Sequence, residues 1–249
     1  KALEESNGDF DKAIEVLRKK GQKVAANRAD RESSEGVVLA KVNSDNTYGI
    51  IISLNCETDF VAKNDDYIQL AQKLAEHALN FTDKESLLKS DFEGMKVSEK
   101  LLEQTGVIGE KIEIGSFEHI TASFVGSYIH AGNKIASIVG LSENFDNASD
   151  VGKDLSMQIA AMNPVAIDEN GVSQDIIAKE IEIAKDQLRQ EGKPEDMLEN
   201  IAKGKLKKFF KDNTLINQQF IKDSKISILQ YIKEFSDSVE VTDFSRVGI

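Results

Sequence analysis

Apolar positions change their spacing several times along this chain, and each change predicts an element. Phe10, Ala13, Ile14 and Leu17 fall at i, i+3, i+4 and i+7, the stripe of an amphipathic helix. Asn7 and Gly8 before them suit a left-handed corner, and Asp9 suits an N-cap. Residues 1–21, "KALEESNGDFDKAIEVLRKKG", therefore read as two short helices, the second closed by Lys19, Lys20 and Gly21. Two such helices bury too little to form a core, so a third helix preceding residue 1 is expected. From 22 to 35 the apolar residues lose their period, and a linker is expected, part of it open to being helical.

At Gly36 the texture becomes that of strands. "GVVLAKV" and "YGIIISL" are apolar runs separated by "NSDNT", the composition of a hairpin connection. A polar, acidic stretch follows Leu54, with Asp65 or Asp66 as the expected N-cap of a helix whose stripe is Tyr67, Leu70, Ala71, Leu74 and Ala78. "KIEIGSFEHITASF" continues the strand pattern.

The arrangement then recurs. "VGSYIHAGNKIASIVGL", residues 125–141, is again run, turn and run, followed by a helical stripe at Leu155, Ile159 and Met162. Setting Leu54 against Leu141, Ile51 against Ile138 and Leu70 against Leu155 aligns the two segments, a weak internal duplication. Beyond Pro164, Ile176, Ile177, Ile181, Ala184 and Leu188 trace one helix face, Gly192 to Pro194 break it, and Met197, Leu198, Ile201, Leu206 and Phe209 trace another. This predicts a helical hairpin over about 173–211, of coiled-coil type. A helix near 226–235 and a strand-like "SVEVTDF" close the chain.

The fold class expected is α+β: a helical remnant at 1–21, a linker at 22–35, and two related hairpin-plus-helix subdomains at 36–124 and 125–249, the second carrying the inserted helical hairpin.

Composition narrows the function. The 249 residues carry 31 basic and 43 acidic side chains, a formal charge of −12, which disfavours nucleic acid as a partner. No apolar run is long enough to span a membrane. The one cysteine, Cys56, allows no intramolecular disulfide and points to a reducing, cytoplasmic compartment.

Chemistry is sparse. His77, His119 and His130 lie far apart without metal-ligand spacing, and Glu57, Asp59, Asp65 and Asp66 miss the pattern of a calcium loop. "GVIGEK", 106–111, lacks the spacing of a phosphate loop. Cys56 has no base nearby in sequence and reads as a buried or half-buried thiol. Neither a metal, a cofactor nor an enzymatic reaction is expected. His130, beside Gly132 at a hairpin tip, is a candidate partner contact. Phe60, alone in its acidic stretch, is either a plug under its own loop or an exposed aromatic anchor. The local pattern leaves both readings open.

"NCETDFVAK", 55–63, resembles the central motif of the bacterial-type translation elongation factor Ts family, exchange factors for elongation factor Tu. The likeness extends to 1–21, which is similar to the end of that family's ubiquitin-associated-like module. It also covers "GSYIHAGNKIASIV" in the second core unit and "GKPEDMLENIAKGKLKKFF" in the helical hairpin. The family's opening helix and its Thr-Gly-Ala-Gly-type segment have no counterpart in this sequence. The resemblance implies that Asp59 and Phe60, flanked by Thr58 and Val61, form a wedge pushed against the partner's nucleotide and magnesium site. It implies further contacts from Ile108, Gly109 and His130, and no chemical active site. The competing expectation is a structural module that forms homodimers through its helical hairpin.

Overall fold

The structure is a computed structural model that describes residues 1–28 and 30–249; Ala29, within the expected linker, lies outside the described residues. Helix α1 (Ala2–Glu5) turns through Asn7 and Gly8, both at positive φ, into α2 (Phe10–Asn27). Asp9 caps α2 by accepting from the Lys12 amide at 3.2 Å.

Gly21 does not end this helix. It is the point where α2 crosses α6 (Val97–Ile108), because a Cβ on Gly21 would lie 2.1 Å from the Leu102 carbonyl oxygen and one on Gly106 would lie 2.8 Å from the Gly21 nitrogen. The two backbones touch where both side chains are missing. The linker expected at 22–35 is thus shorter than its texture suggests: helix continues to Asn27, and strand begins at Glu35.

Strands β1 (Glu35–Val42) and β2 (Tyr48–Cys56) form an antiparallel hairpin with Glu35 opposite Cys56. Its turn is held by the Asn43 side chain, which accepts from the amides of Thr47 and Tyr48 at 2.9 Å each. Then come α3 (Asp59–Ala62), α4 (Asp65–Ala78), α5 (Lys84–Lys89), the small hairpin β3 (Asp91–Phe92) and β4 (Met95–Lys96), and α6. Strand β5 (Glu113–Thr121) pairs antiparallel with β2, completing a sheet of order β1-β2-β5.

The second sheet has the order β6-β7-β10, all antiparallel, from β6 (Phe124–Ile129), β7 (Ile135–Leu141) and β10 (Val241–Gly248). Between β7 and β10 lie α7 (Ala148–Met162), the antiparallel pair α8 (Gln174–Gln190) and α9 (Glu195–Asn213), the ribbon β8 (Gln219–Phe220) and β9 (Asp223–Ser227), and α10 (Ile228–Lys233).

The sheets pack face to face through Val38, Ala40, Ile51, Val125, Ala136 and Ile138. Helices cover their outer faces, where Ile50, Ile52 and Leu54 meet Leu70 and Leu74, and where Val139 and Leu141 meet Leu155 and Ile159. Both faces of β2 and β7 are therefore apolar, which is why these strands read as continuous runs rather than alternating ones. The α+β class holds. Leu54 and Leu141 both point to the helical side, Ile51 and Ile138 both to the inter-sheet side.

Candidate functional site

The stretch after β2 emerges at one end of the first sheet. Cys56 is buried, and its thiol donates to the Thr58 carbonyl at 3.2 Å; burial pushes that thiol's pKa up, so it stays protonated and inert. Asp59 to Ala62 then make the single turn of α3, which buries Ala62 and leaves Phe60 83% exposed. Phe60 is no plug. Asp59 accepts from the Lys63 ammonium at 2.7 Å, and that hydrogen bond, with the Lys63 charge, holds the carboxyl below its ordinary pKa.

The N-cap of helix α4 is Asn64, not Asp65 or Asp66. The Asn64 side chain accepts from the amides of Asp66 (2.9 Å) and Tyr67 (3.3 Å), leaving Asp65 and Asp66 in the first turn, where their charge suits the helix dipole. Buried Tyr67 donates to the Leu54 carbonyl at 2.8 Å and ties α4 back to β2.

A second segment, distant in sequence, completes the site. Helix α6 ends at Gly109, whose φ of 85° sends the chain into the left-handed cap that glycine tolerates best. The next residue, Glu110, turns its carboxylate onto the Thr58 turn: Oε2 accepts from the amides of Glu57 and Thr58, at 3.1 Å each, and Oε1 accepts from the Thr58 hydroxyl at 2.7 Å. Glu57 answers by accepting from the Lys111 amide at 2.8 Å and from the Arg28 guanidinium at 2.5 Å. Burial alone would raise the Glu57 pKa, but the Lys111 amide and Arg28 outweigh it and hold the carboxyl below the ordinary range. The motif turn and "GVIGEK" are stitched to each other by two carboxylates.

Between these segments lies an open cleft of about 570 Å³, lined by Thr58, Phe60, Val61, Tyr67, Val107 and Ile108 among others. Val107 is 55% exposed at its rim. Of the residues singled out in the sequence, Thr58, Asp59, Phe60, Val61, Ile108 and Gly109 thus come together.

His130 sits apart from that cleft, at the exposed β6–β7 turn, with its Nδ1 3.2 Å from the Tyr128 hydroxyl. This turn nevertheless lies at the same end of the molecule. The Asn133 carbonyl accepts from the Val38 amide at 2.7 Å, and Lys134 pairs with Glu35, the residue opposite Cys56. His77 is half-buried against Phe81 and Phe92 and lies within 2.8 Å of the Ser90 hydroxyl, and His119 is exposed on β5.

Val107, Glu110 and Arg28 were not singled out in the sequence, and Glu57 was considered there only as a calcium ligand. Glu110 had one signal, its place directly after Gly109 in "GVIGEK". Among the described residues, no three of His, Cys, Asp and Glu gather to hold a metal ion, and no helix is long and apolar enough to cross a membrane.

What this site offers is an exposed aromatic knob, on a turn held by hydrogen bonds, beside a cleft lined by apolar and polar side chains alike. Such an arrangement suits binding to another protein. A sequence model of the family described as elongation factor TS matches residues 57–249. The elongation factor Ts of Christiangramia forsetii is 64% identical over 249 residues, covering 100% of this chain and 91% of the relative. That of Flavobacterium psychrophilum is 59% identical with the same coverage, and that of Amoebophilus asiaticus is 48% identical over 99% of this chain and 90% of its own. The chain belongs to the elongation factor Ts family.

Proposed function

We propose that this chain is a guanine nucleotide exchange factor for elongation factor Tu. It binds the GDP-bound partner and drives Asp59 and Phe60 against the nucleotide and magnesium site, so that GDP leaves and GTP enters. The observation that carries this reading is Phe60: a large aromatic side chain, 83% exposed, on a turn held by five hydrogen bonds to or from Glu57 and Glu110. Phe60 is not isolated: Val61, Val107 and Ile108 line the same cleft, an apolar group that a partner can bury.

The mechanism follows from linkage. A factor that binds best when the nucleotide site is distorted weakens the nucleotide, and the nucleotide weakens the factor by the same ratio. Desolvating Phe60 in the partner contributes on the order of 2 kcal/mol towards that distortion. Thr58 and Val61 shape the wedge, Ile108 and Gly109 form its second contact, and His130 meets the partner from the neighbouring hairpin. The chain makes and breaks no covalent bonds in this role, which needs no cofactor and belongs in the cytoplasm.

The test is release of a fluorescent GDP analogue from elongation factor Tu, chased by excess GDP. Wild-type protein accelerates release strongly and Phe60→Ala retains only a small, measurable part of that acceleration; equal acceleration by a folded Phe60→Ala protein would overturn the reading.

A second reading draws on the α8–α9 pair, where Ile183 and Met197 are exposed apolar residues. In it the hairpin is a coiled coil that dimerises the chain. Size-exclusion chromatography before and after deletion of residues 173–211 decides it, since a dimer that survives the deletion rules it out.

A further inference from the structure

We infer that Glu110 is a positioning residue for exchange, acting through Phe60. The inference rests on the exchange reading above and adds to it a residue that never needs to touch the nucleotide.

The argument starts from the weakness of α3. Four residues make one helical turn, too short to be stable alone, because fixing the first turn costs more than its hydrogen bonds return. A threonine at such an N-terminus ordinarily turns its hydroxyl inward to accept from the first turn. Thr58 does not. Its hydroxyl donates outward to Glu110, and its amide and that of Glu57 donate to the same carboxylate. All three donors at the entrance to α3 are committed to one side chain.

That side chain is itself fixed. The left-handed cap at Gly109 sets the direction of the chain at Glu110, and the Lys111 amide donates back to Glu57, closing a reciprocal clasp. Val61 and Ala62 pack below the turn, so Asp59 and Phe60 point away from the body. Without Glu110, α3 keeps its apolar foot but loses the restraint at its entrance. Phe60 would then sample several directions, and the ordering would fall due when the partner binds. Glu57 shares the clasp but also holds Arg28, so Glu110 is the cleaner residue to test.

The experiment uses the full chain and elongation factor Tu loaded with a fluorescent GDP analogue, comparing wild type, Glu110→Ala, Glu110→Gln, Phe60→Ala and the Glu110→Ala/Phe60→Ala double variant. With factor below saturation, where the ordering cost of binding is read, Glu110→Ala is expected to lower the release rate about tenfold. Glu110→Gln, which keeps a carbonyl acceptor, should lose less. In the Phe60→Ala background Glu110→Ala should cost nothing more, because both act through one side chain. Hydrogen exchange should quicken at the amides of residues 57 and 58 while those of β2 and α4 stay protected.

An unchanged rate in Glu110→Ala, with Phe60→Ala slow, overturns the positioning role and leaves the exchange reading standing. A loss that adds fully to that of Phe60→Ala, or lost protection throughout α4 and β2, also overturns it. Unaltered release with Phe60→Ala overturns the exchange reading itself, and the inference falls with it.

Discussion

The chain leaves β2 and β7 in similar ways and with opposite results. After β2 it runs Glu57-Thr58-Asp59-Phe60 into α4; after β7 it runs Glu143-Asn144-Phe145-Asp146 into α7. Both stretches are acidic, both carry a lone phenylalanine, and both precede a helix with asparagine at its N-cap position. Phe145 folds back on the cluster around Leu141, Val151 and Leu155, whereas Phe60 stands in solvent. The loops differ in what else holds them. Ser142 exchanges hydrogen bonds with Glu240 at the entry to β10, and Phe145 supplies the apolar anchor. The loop after β2 is held from α6 by Glu110, with Val61 and Ala62 as its foot. An aromatic is free to face outward only when something else secures its loop.

Phe60→Ala is the strongest way to break this contrast. It should slow nucleotide release by about thirtyfold, the equivalent of about 2 kcal/mol, while the thermal midpoint stays where it was. Stopped-flow fluorescence and a melting curve read the two effects separately. Phe145→Ala should do the reverse, lowering stability by about 1–2 kcal/mol in urea titrations and leaving release per folded molecule unchanged. If both variants lost only stability, or both only exchange, the two loops would be equivalent after all.

Val107→Ser, at the cleft rim, sharpens the picture further. It should weaken binding to the partner severalfold, about 1 kcal/mol, without affecting folding, as a titration would report. The smallest effect concerns Glu57. Its folded pKa lies below the ordinary 4.5, so its contribution to stability is complete above that value and is lost as pH falls through the depressed one. The stability gap between wild type and Glu57→Gln should therefore be constant near neutral pH and close in acid; a gap that widens in acid would contradict the hydrogen bonding described.

Strands with both faces buried and helices with one apolar stripe were legible in the sequence, because their periods differ and burial imposes them. Helix α6 was not. The side it turns to α2 is built from Gly106 against Gly21, and glycine carries no hydrophobic signal. For the same reason Gly21 looked like the end of α2. Phe10, counted in the apolar stripe, is 72% exposed, since the crossing with α6 uses the far end of the helix. At the site, "NCETDFVAK" announced where to look, but the direction of Phe60 depends on Glu110, some fifty positions away. Local texture has no access to such a pairing.

The clasp between the two segments bears on mimicry. A linear peptide copied from residues 53–67 would carry the recognisable residues and none of the scaffold, and would spend much of its affinity on ordering itself. A useful imitation would be bicyclic, joining 57–61 to 107–111 so that one synthetic loop braces the other. In this architecture the tool and its handle are encoded separately.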